Sequence, residues 1–343
     1  MFAAGVAGSV LLAKALGSAQ VQTALWSLRN TMPALLLLEL ARFAVELQST
    51  RSLLKPRSVP LRPLLQAQCA AHVCSMLMPA GRAAAEGMRT AVLARHVGLQ
   101  GAAGVGAAGQ LITFLVNGGL AILAGLVTTL VGGALQLAFG MVLFGLVLLS
   151  LGLLLRAALA SRTLVFKLQR LPLGRKALID MLNSTRAGAA FGVAPVGWQT
   201  LSRLLQAVQL GILLHALSSQ VAPALWLVAL GLQLAGAAVG DFLPAHMGTT
   251  EGAFALGAAP LGISASSGLS LALALHAIQL IGVALALPAA IWLRLQRSSR
   301  AFSQPRSDEH AGHAPVKRWS KRVQVGNLWP QVAAASEEMD GEK

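Results

Sequence analysis

The chain has 343 residues, of which 55% are hydrophobic and only 11% charged, with a formal net charge of +15. Soluble domains carry about 25% charged residues, so the composition excludes an ordinary soluble globular domain. The positive excess does not point to nucleic acid, because the basic residues flank apolar segments and fill the C-terminal tail, as the positive-inside rule describes.

In chain order, residues 2–18 are weakly apolar and read as a first span or a surface helix. Residues 25–48 form a clearer predicted span, followed by a basic loop with Arg51, Lys55, Arg57 and Arg62. Residues 64–78 are apolar but fall short of the roughly 20 needed to cross a bilayer, and Pro79 ends them. Cys69 and Cys74 lie within that segment and read as small buried thiols. Residues 82–96 are partly polar, with Arg82, Glu86, Arg89, Arg95 and His96.

From Val97 to Leu155 there is no Asp, Glu, Lys or Arg. This run holds two predicted spans, near 104–128 and 137–156, joined at Gly132-Gly133. The most basic loop, 156–186, comes next. Residues 187–217 are apolar and are expected to break at Pro195 and Gly197. Another span covers 223–243, ending at Asp241 and Pro244, and the last covers 268–293. From Arg294 onward the chain is charged, and a disordered tail is expected. The division that follows is a membrane domain over 1–298 and a cytoplasmic tail over 299–343. Basic loops and tail place those segments in the cytoplasm, and the uncharged loops near 129–136, 216–223 and 257–267 outside.

One element is written twice. Residues 77–88 read LMPAGRAAAEGM and residues 242–253 read FLPAHMGTTEGA. At a constant offset, Leu65, Gln68, Ala70, Pro79, Ala80, Glu86 and Gly87 match Leu230, Gln233, Ala235, Pro244, Ala245, Glu251 and Gly252. The first copy follows a basic loop and the second an uncharged one, so the copies enter the membrane from opposite sides. That is the pattern of an inverted repeat, in which short broken helices surround a site near the midplane. A proline stops each short helix, and non-helical backbone at membrane depth requires protein or a water-filled cavity around it. Each glutamate then either faces such a cavity or caps a helix at the headgroup level.

These residues resemble the flippase-like family, also called the lysylphosphatidylglycerol synthase transmembrane region. Its first motif is matched by Pro79 with Ala85-Glu86-Gly87-Met88-Arg89, its second by Leu243-Pro244 with Gly248-Thr249-Thr250-Glu251. The turns Gly98-Leu99 and Gly262-Ile263-Ser264 are similar too, and the resemblance covers roughly residues 25–295. Two departures stand out: Ala85 replaces a glycine, and the spans after the motifs offer Gln110 and His276 where the family often has arginine. The resemblance implies a membrane module that moves lipid headgroups between leaflets. Some members are fused to a soluble aminoacyl transferase, and the stretch after the last span is too short for such a domain.

Two charged sets qualify as candidates. Arg82, Arg89 and Arg95 around Glu86 suit a phosphate, which a guanidinium can grip bidentately; the alternative is a Glu86–Arg89 pair within one helix with Arg82 and Arg95 snorkelling. Glu39, Arg42 and Glu46 share one face of the span 25–48 and either neutralise each other or line a lipid path. No nucleotide, nucleophile-elbow or zinc-protease motif is present, and no cofactor or metal is expected. The sequence therefore predicts an all-α polytopic protein of the bacterial inner membrane. It would have about eight spans in two inverted halves, with Pro79, Pro244 and Gly248 breaking helices. Arg82, Glu86, Arg89 and Glu251 would bind a lipid that the protein translocates without chemistry. Expected partners are membrane lipids, together with a second copy or a lipid-modifying enzyme. Other readings are a scaffold for such an enzyme or a membrane-embedded transferase.

Overall fold

A computed structural model describes residue 14 and residues 18–55, 58–160, 192–218, 221–243 and 246–303. Most of residues 2–17, the basic loop from residue 161, Pro244 and the tail from residue 304 therefore lie outside the described residues. The chain divides into a unit of residues 1–298 and a second of 299–343; the fold and site below belong to the first. Among the described residues every regular element is helical, and the protein is an all-α membrane protein.

The helices are α1 (Ser18–Leu28), α2 (Met32–Leu53), α3 (Leu61–Leu77), α4 (Gly81–Val97), α5 (Leu99–Leu130), α6 (Leu135–Ala160), α7 (Val193–Leu217), α8 (Ala224–Val239), α9 (Thr249–Leu256) and α10 (Ala265–Ser303). The segment expected as one span over 25–48 is split by a 3-10 turn at Arg29–Thr31. Pro33 sits in the first turn of α2, where a missing N–H costs nothing. The break expected at Pro195 and Gly197 does not occur: α7 runs unbroken from Val193. Pro195 falls in its first turn, whose N–H groups have no intrahelical partner in any case.

Among the described residues four helices are long and apolar enough to cross a membrane: α5, α6, α7 and residues 265–295 of α10. The outer faces of α5 and α6 expose Leu126, Leu130, Phe139, Leu143, Leu151 and Leu154, as a lipid-facing surface does. α2 has 22 residues but carries Glu39 and Arg42, both buried. α3 and α4 have 17 residues each, α8 has 16 and α9 has 8.

The short helices follow the repeated motif. Each copy folds as a short helix, a break and a second short helix, and each is followed by a long helix. Both breaks hold a non-glycine residue at positive φ, Ala80 (φ 52°) and His246 (φ 58°). A glycine at positive φ precedes each long helix, Gly98 (φ 79°) before α5 and Gly262 (φ 69°) before α10. Left-handed backbone costs a non-glycine residue about 1–2 kcal/mol, so packing around the breaks must hold it. The first break is held by the close approach of α3 and α4. A methyl group on Gly81 would overlap the Ser75 carbonyl. Gly81→Ala is therefore expected to destabilise the protein by about 1–3 kcal/mol, seen as a lower melting temperature in detergent. Melting at the wild-type temperature would mean that the hairpin opens freely.

α5 and α6 form a tighter pair. A Cβ on Gly118 would lie 2.9 Å from the Gly145 carbonyl, and one on Gly145 would lie 2.7 Å from the Gly118 carbonyl. Backbones approach this closely only through small residues, which drive helix association where water is absent. α8 packs on α5, and α7 packs on α2 and α8.

Candidate functional site

Along α2 the side chains form three layers. Leu35 belongs to a large apolar cluster with Leu210, Leu214, Leu230, Phe254 and Leu275 from four other helices. Leu47 and Leu54 belong to a second cluster with Leu64, Leu93 and Ala102. Between them on α2 lie Glu39, Arg42 and Glu46. Apolar packing thus flanks the charged layer along the helix, which makes pairing compulsory: an unpaired buried charge is among the most costly features a fold can carry.

The pairing is extensive. Arg42 donates to Glu39 (2.6 Å) and lies 3.9 Å from Glu46. Gln209 on α7 donates to the other Glu39 oxygen at 3.1 Å. Glu46 accepts from Gln68 on α3 (3.3 Å) and Ser202 on α7 (3.2 Å). Arg89 on α4 donates to both Glu86 and Gln68, so one chain of hydrogen bonds runs α2–α3–α4. Arg82, at the start of α4, lies 3.3 Å from Asp241 at the end of α8. This ion pair ties the first break to the second, with His246 3.9 Å from the same Asp241 oxygen.

Two adjoining chambers open in this layer. The first, about 190 Å³, is lined by Glu46, Gln68, Arg82, Glu86, Arg89 and Arg203 among others. The second, about 170 Å³, is lined by Arg42, Gln233, His246, Thr250, His276 and Gln279 among others. Glu46, His72, Ser75, Arg82 and Arg203 line both. Gln68 and Gln233, equivalent in the repeat, are both buried and face different chambers.

The sequence-derived residues divide by position. Arg82, Glu86 and Arg89 gather in the first chamber, and Glu46 reaches both. Arg42 lines the second, while Glu39 stands behind it. Glu86 pairs with Arg89 through one oxygen, and its Oε2 has no hydrogen-bond partner. Glu251 is fully buried and accepts from the Gly248 N–H at 2.8 Å. Gly248 (φ 87°) caps α9, and the Glu251 carboxylate closes that first turn. The two glutamates of the repeat are therefore placed differently, one with an oxygen toward Gly106 at the first chamber and one folded back onto its own helix. Pro79 separates α3 from α4.

Arg203 was not among the sequence candidates, yet it lines both chambers. Its Nε donates to Asn117 Oδ1 (2.9 Å) and its Nη1 to Gln206 Oε1 (2.8 Å). Among the described residues no carboxylate lies within ion-pair distance of it. Neutral amides orient this guanidinium without cancelling its charge. The signal in the sequence was a lone arginine in an apolar helix, with an asparagine in another long helix to hold it. His72 was missed for a related reason, since it stands alone in its segment, whereas Asp241 and His246 lie beside and within the second motif copy, where only the proline, glycine and glutamate were read as functional.

No curated protein and no solved structure matches the chain. The family described as the lysylphosphatidylglycerol synthase TM region matches residues 1–286, which takes in both motifs, both breaks and every residue of the two chambers. The chain belongs to the lysylphosphatidylglycerol synthase transmembrane-region family.

Proposed function

We propose that the protein translocates a phosphate-bearing lipid between leaflets, with the headgroup crossing through the two chambers. The observation that carries this reading is Arg203. A guanidinium held by amides, at the wall shared by both chambers, is available to an anionic group where the other arginines are engaged. Arg82 and Arg89 would complete the phosphate grip, and Glu86 would meet a cationic part of the headgroup. The inverted sense of the two motif copies, read from flanking charge, would let the halves rock and expose the chambers alternately. The protein would carry its lipid rather than make it, from the bacterial cytoplasmic membrane, with basic loops inside and a lipid-modifying enzyme or a second copy as neighbour.

Translocation of headgroup-labelled lipids in proteoliposomes tests this. Wild type is expected to flip one lipid class. Glu86→Gln, which keeps the shape and removes the charge, is expected to slow flipping at least about tenfold, as lost charge-assisted bonds do. Equal flipping by folded Glu86→Gln would remove Glu86 from the path. Absence of flipping for every lipid, with an enzyme copurifying instead, would favour a scaffold.

A further inference from the structure

Among the described residues, buried polar atoms without a hydrogen-bond partner concentrate around the second chamber. Arg42 Nε, Gln233 Oε1, His246 Nδ1, Thr250 Oγ1 and His276 Nε2 all belong to residues that line it. Thr250 is 1% exposed, His276 4% and Gln233 5%. His276 Nε2 stands 3.3 Å from Glu251 Oε2 with no hydrogen bond between them. Buried polar groups are satisfied almost without exception in folded proteins, so a wall that gathers five open ones suits an occupant that bonds them.

The kinds of atom left open narrow the occupant. Arg42 Nε can only donate and Gln233 Oε1 can only accept, whereas the Thr250 hydroxyl does both and each imidazole nitrogen does one or the other. An ionised phosphodiester only accepts, so it would leave Gln233 Oε1 open. An ammonium only donates, so it would leave Arg42 Nε open. A hydroxyl gives and takes, and several hydroxyls on one body serve both kinds. Charge does not call for an ion here either. Arg42 is bonded to Glu39, Arg82 is paired with Asp241, and Glu46 accepts from Gln68 and Ser202. Arg203, held by amides, stands at the wall shared with the first chamber. Size limits the occupant further. The volume of about 170 Å³ matches roughly six waters at their liquid share of about 30 Å³, which is room for one hydroxylated ring and too little for two.

We propose that the second chamber binds an uncharged hydroxylated ring, a hexose or a cyclitol, carried on a lipid headgroup or free. Thr250 and Gln233 are its specificity residues: Thr250 Oγ1 exchanges a hydrogen bond with one ring hydroxyl, and Gln233 Oε1 accepts from another. This deepens the lipid reading, on which it rests only for the source of the ring. The phosphate lies against Arg203 at the shared wall, and the ring fills the second chamber. The substrate class is then a phospholipid whose headgroup ends in a sugar or a cyclitol.

The test uses the purified full chain in dodecyldimethylamine oxide, a detergent without sugar hydroxyls. It compares dioctanoyl phosphatidylinositol and phosphatidylglucose with dioctanoyl phosphatidylmethanol, which carries the same charge and no ring. At least one ring lipid is expected to bind about tenfold tighter than phosphatidylmethanol, as added neutral hydrogen bonds allow. Thr250→Val keeps the shape and removes the hydroxyl. It should cut that preference at least about fivefold and leave phosphatidylmethanol binding unchanged; Gln233→Met should do the same. Neither lost atom has a partner within the protein, so both variants should melt, without ligand, at or above the wild-type temperature. Lower melting in both would show that these atoms are bonded internally and would overturn the proposal. Free myo-inositol and glucose at millimolar concentration separate the sources. Stabilisation by a free ring and none by the ring lipids would keep the ring site and count against the lipid reading. Equal binding of all three lipids would overturn the ring site and leave the lipid reading in place. A preference kept in both variants, or no binding of any probe because water alone fills the chamber, would also overturn it.

Discussion

Arg203→Gln is expected to reduce lipid translocation in proteoliposomes by about 10- to 150-fold, the kinetic equivalent of losing charge-assisted bonds of about 1.5–3 kcal/mol. The side chain is fixed at two of its nitrogens by Asn117 and Gln206 and lines both chambers, so its remaining nitrogen is oriented before any ligand arrives. Glutamine removes charge and fork together. Arg203→Lys separates them, because an ammonium keeps the charge but cannot span both amides and a ligand; it should retain intermediate activity. Stability should fall as well, by about 1–3 kcal/mol for each buried amide oxygen that loses its donor, Asn117 Oδ1 and Gln206 Oε1, so rates are compared at a temperature where both variants remain folded. Wild-type rates in Arg203→Gln would sink the assignment of Arg203 as the phosphate grip.

Arg42→Ala is expected to act on folding instead. Arg42 and Glu39 are 7% and 5% exposed and 2.6 Å apart, within the charged layer of α2. Removing one partner of such a pair typically costs about 3–5 kcal/mol, because the other charge stays buried and uncompensated. Here two carboxylates lose their common cation, Glu39 keeping only Gln209, and Glu46 keeping Gln68 and Ser202. The double variant Glu39→Met/Arg42→Leu should recover much of the loss, since apolar residues of similar volume often replace a buried pair without penalty. Thermal unfolding in detergent distinguishes the two variants. An Arg42→Ala melting temperature equal to wild type would mean that water already reaches the pair.

How much of this was legible in the sequence depends on whether the signal was local. A proline after a short apolar run, then a glutamate, announces a break within one segment, and α3, Pro79 and α4 fold accordingly. The i, i+3, i+7 spacing of Glu39, Arg42 and Glu46 likewise put them on one face, and the structure adds their partners. Pro195 misled because a proline's effect depends on its distance from the helix start, which apolar periodicity does not mark sharply. Gly248 and Glu251 could be read either as a break or as a cap, and only the turn geometry favours the cap. Arg203 and His276 meet residues 86 and 25 positions away, Asn117 and Glu251. Nothing in a lone arginine or histidine says which helix it will face.

The glycine contacts between α5 and α6 have a consequence for how such a chain can diverge. At Gly118 and Gly145 the opposing backbone occupies the volume that any side chain would need. On the outer faces of the same helices, Leu126, Phe139 and Leu151 project outward with nothing shaped against them. Mutation at the first kind of position is blocked by sterics; at the second, any apolar residue serves equally well. Drift is therefore channelled to one side of each helix. Two lineages could come to differ at most lipid-facing positions while the seam, and the wall that α5 gives the first chamber, stay unchanged.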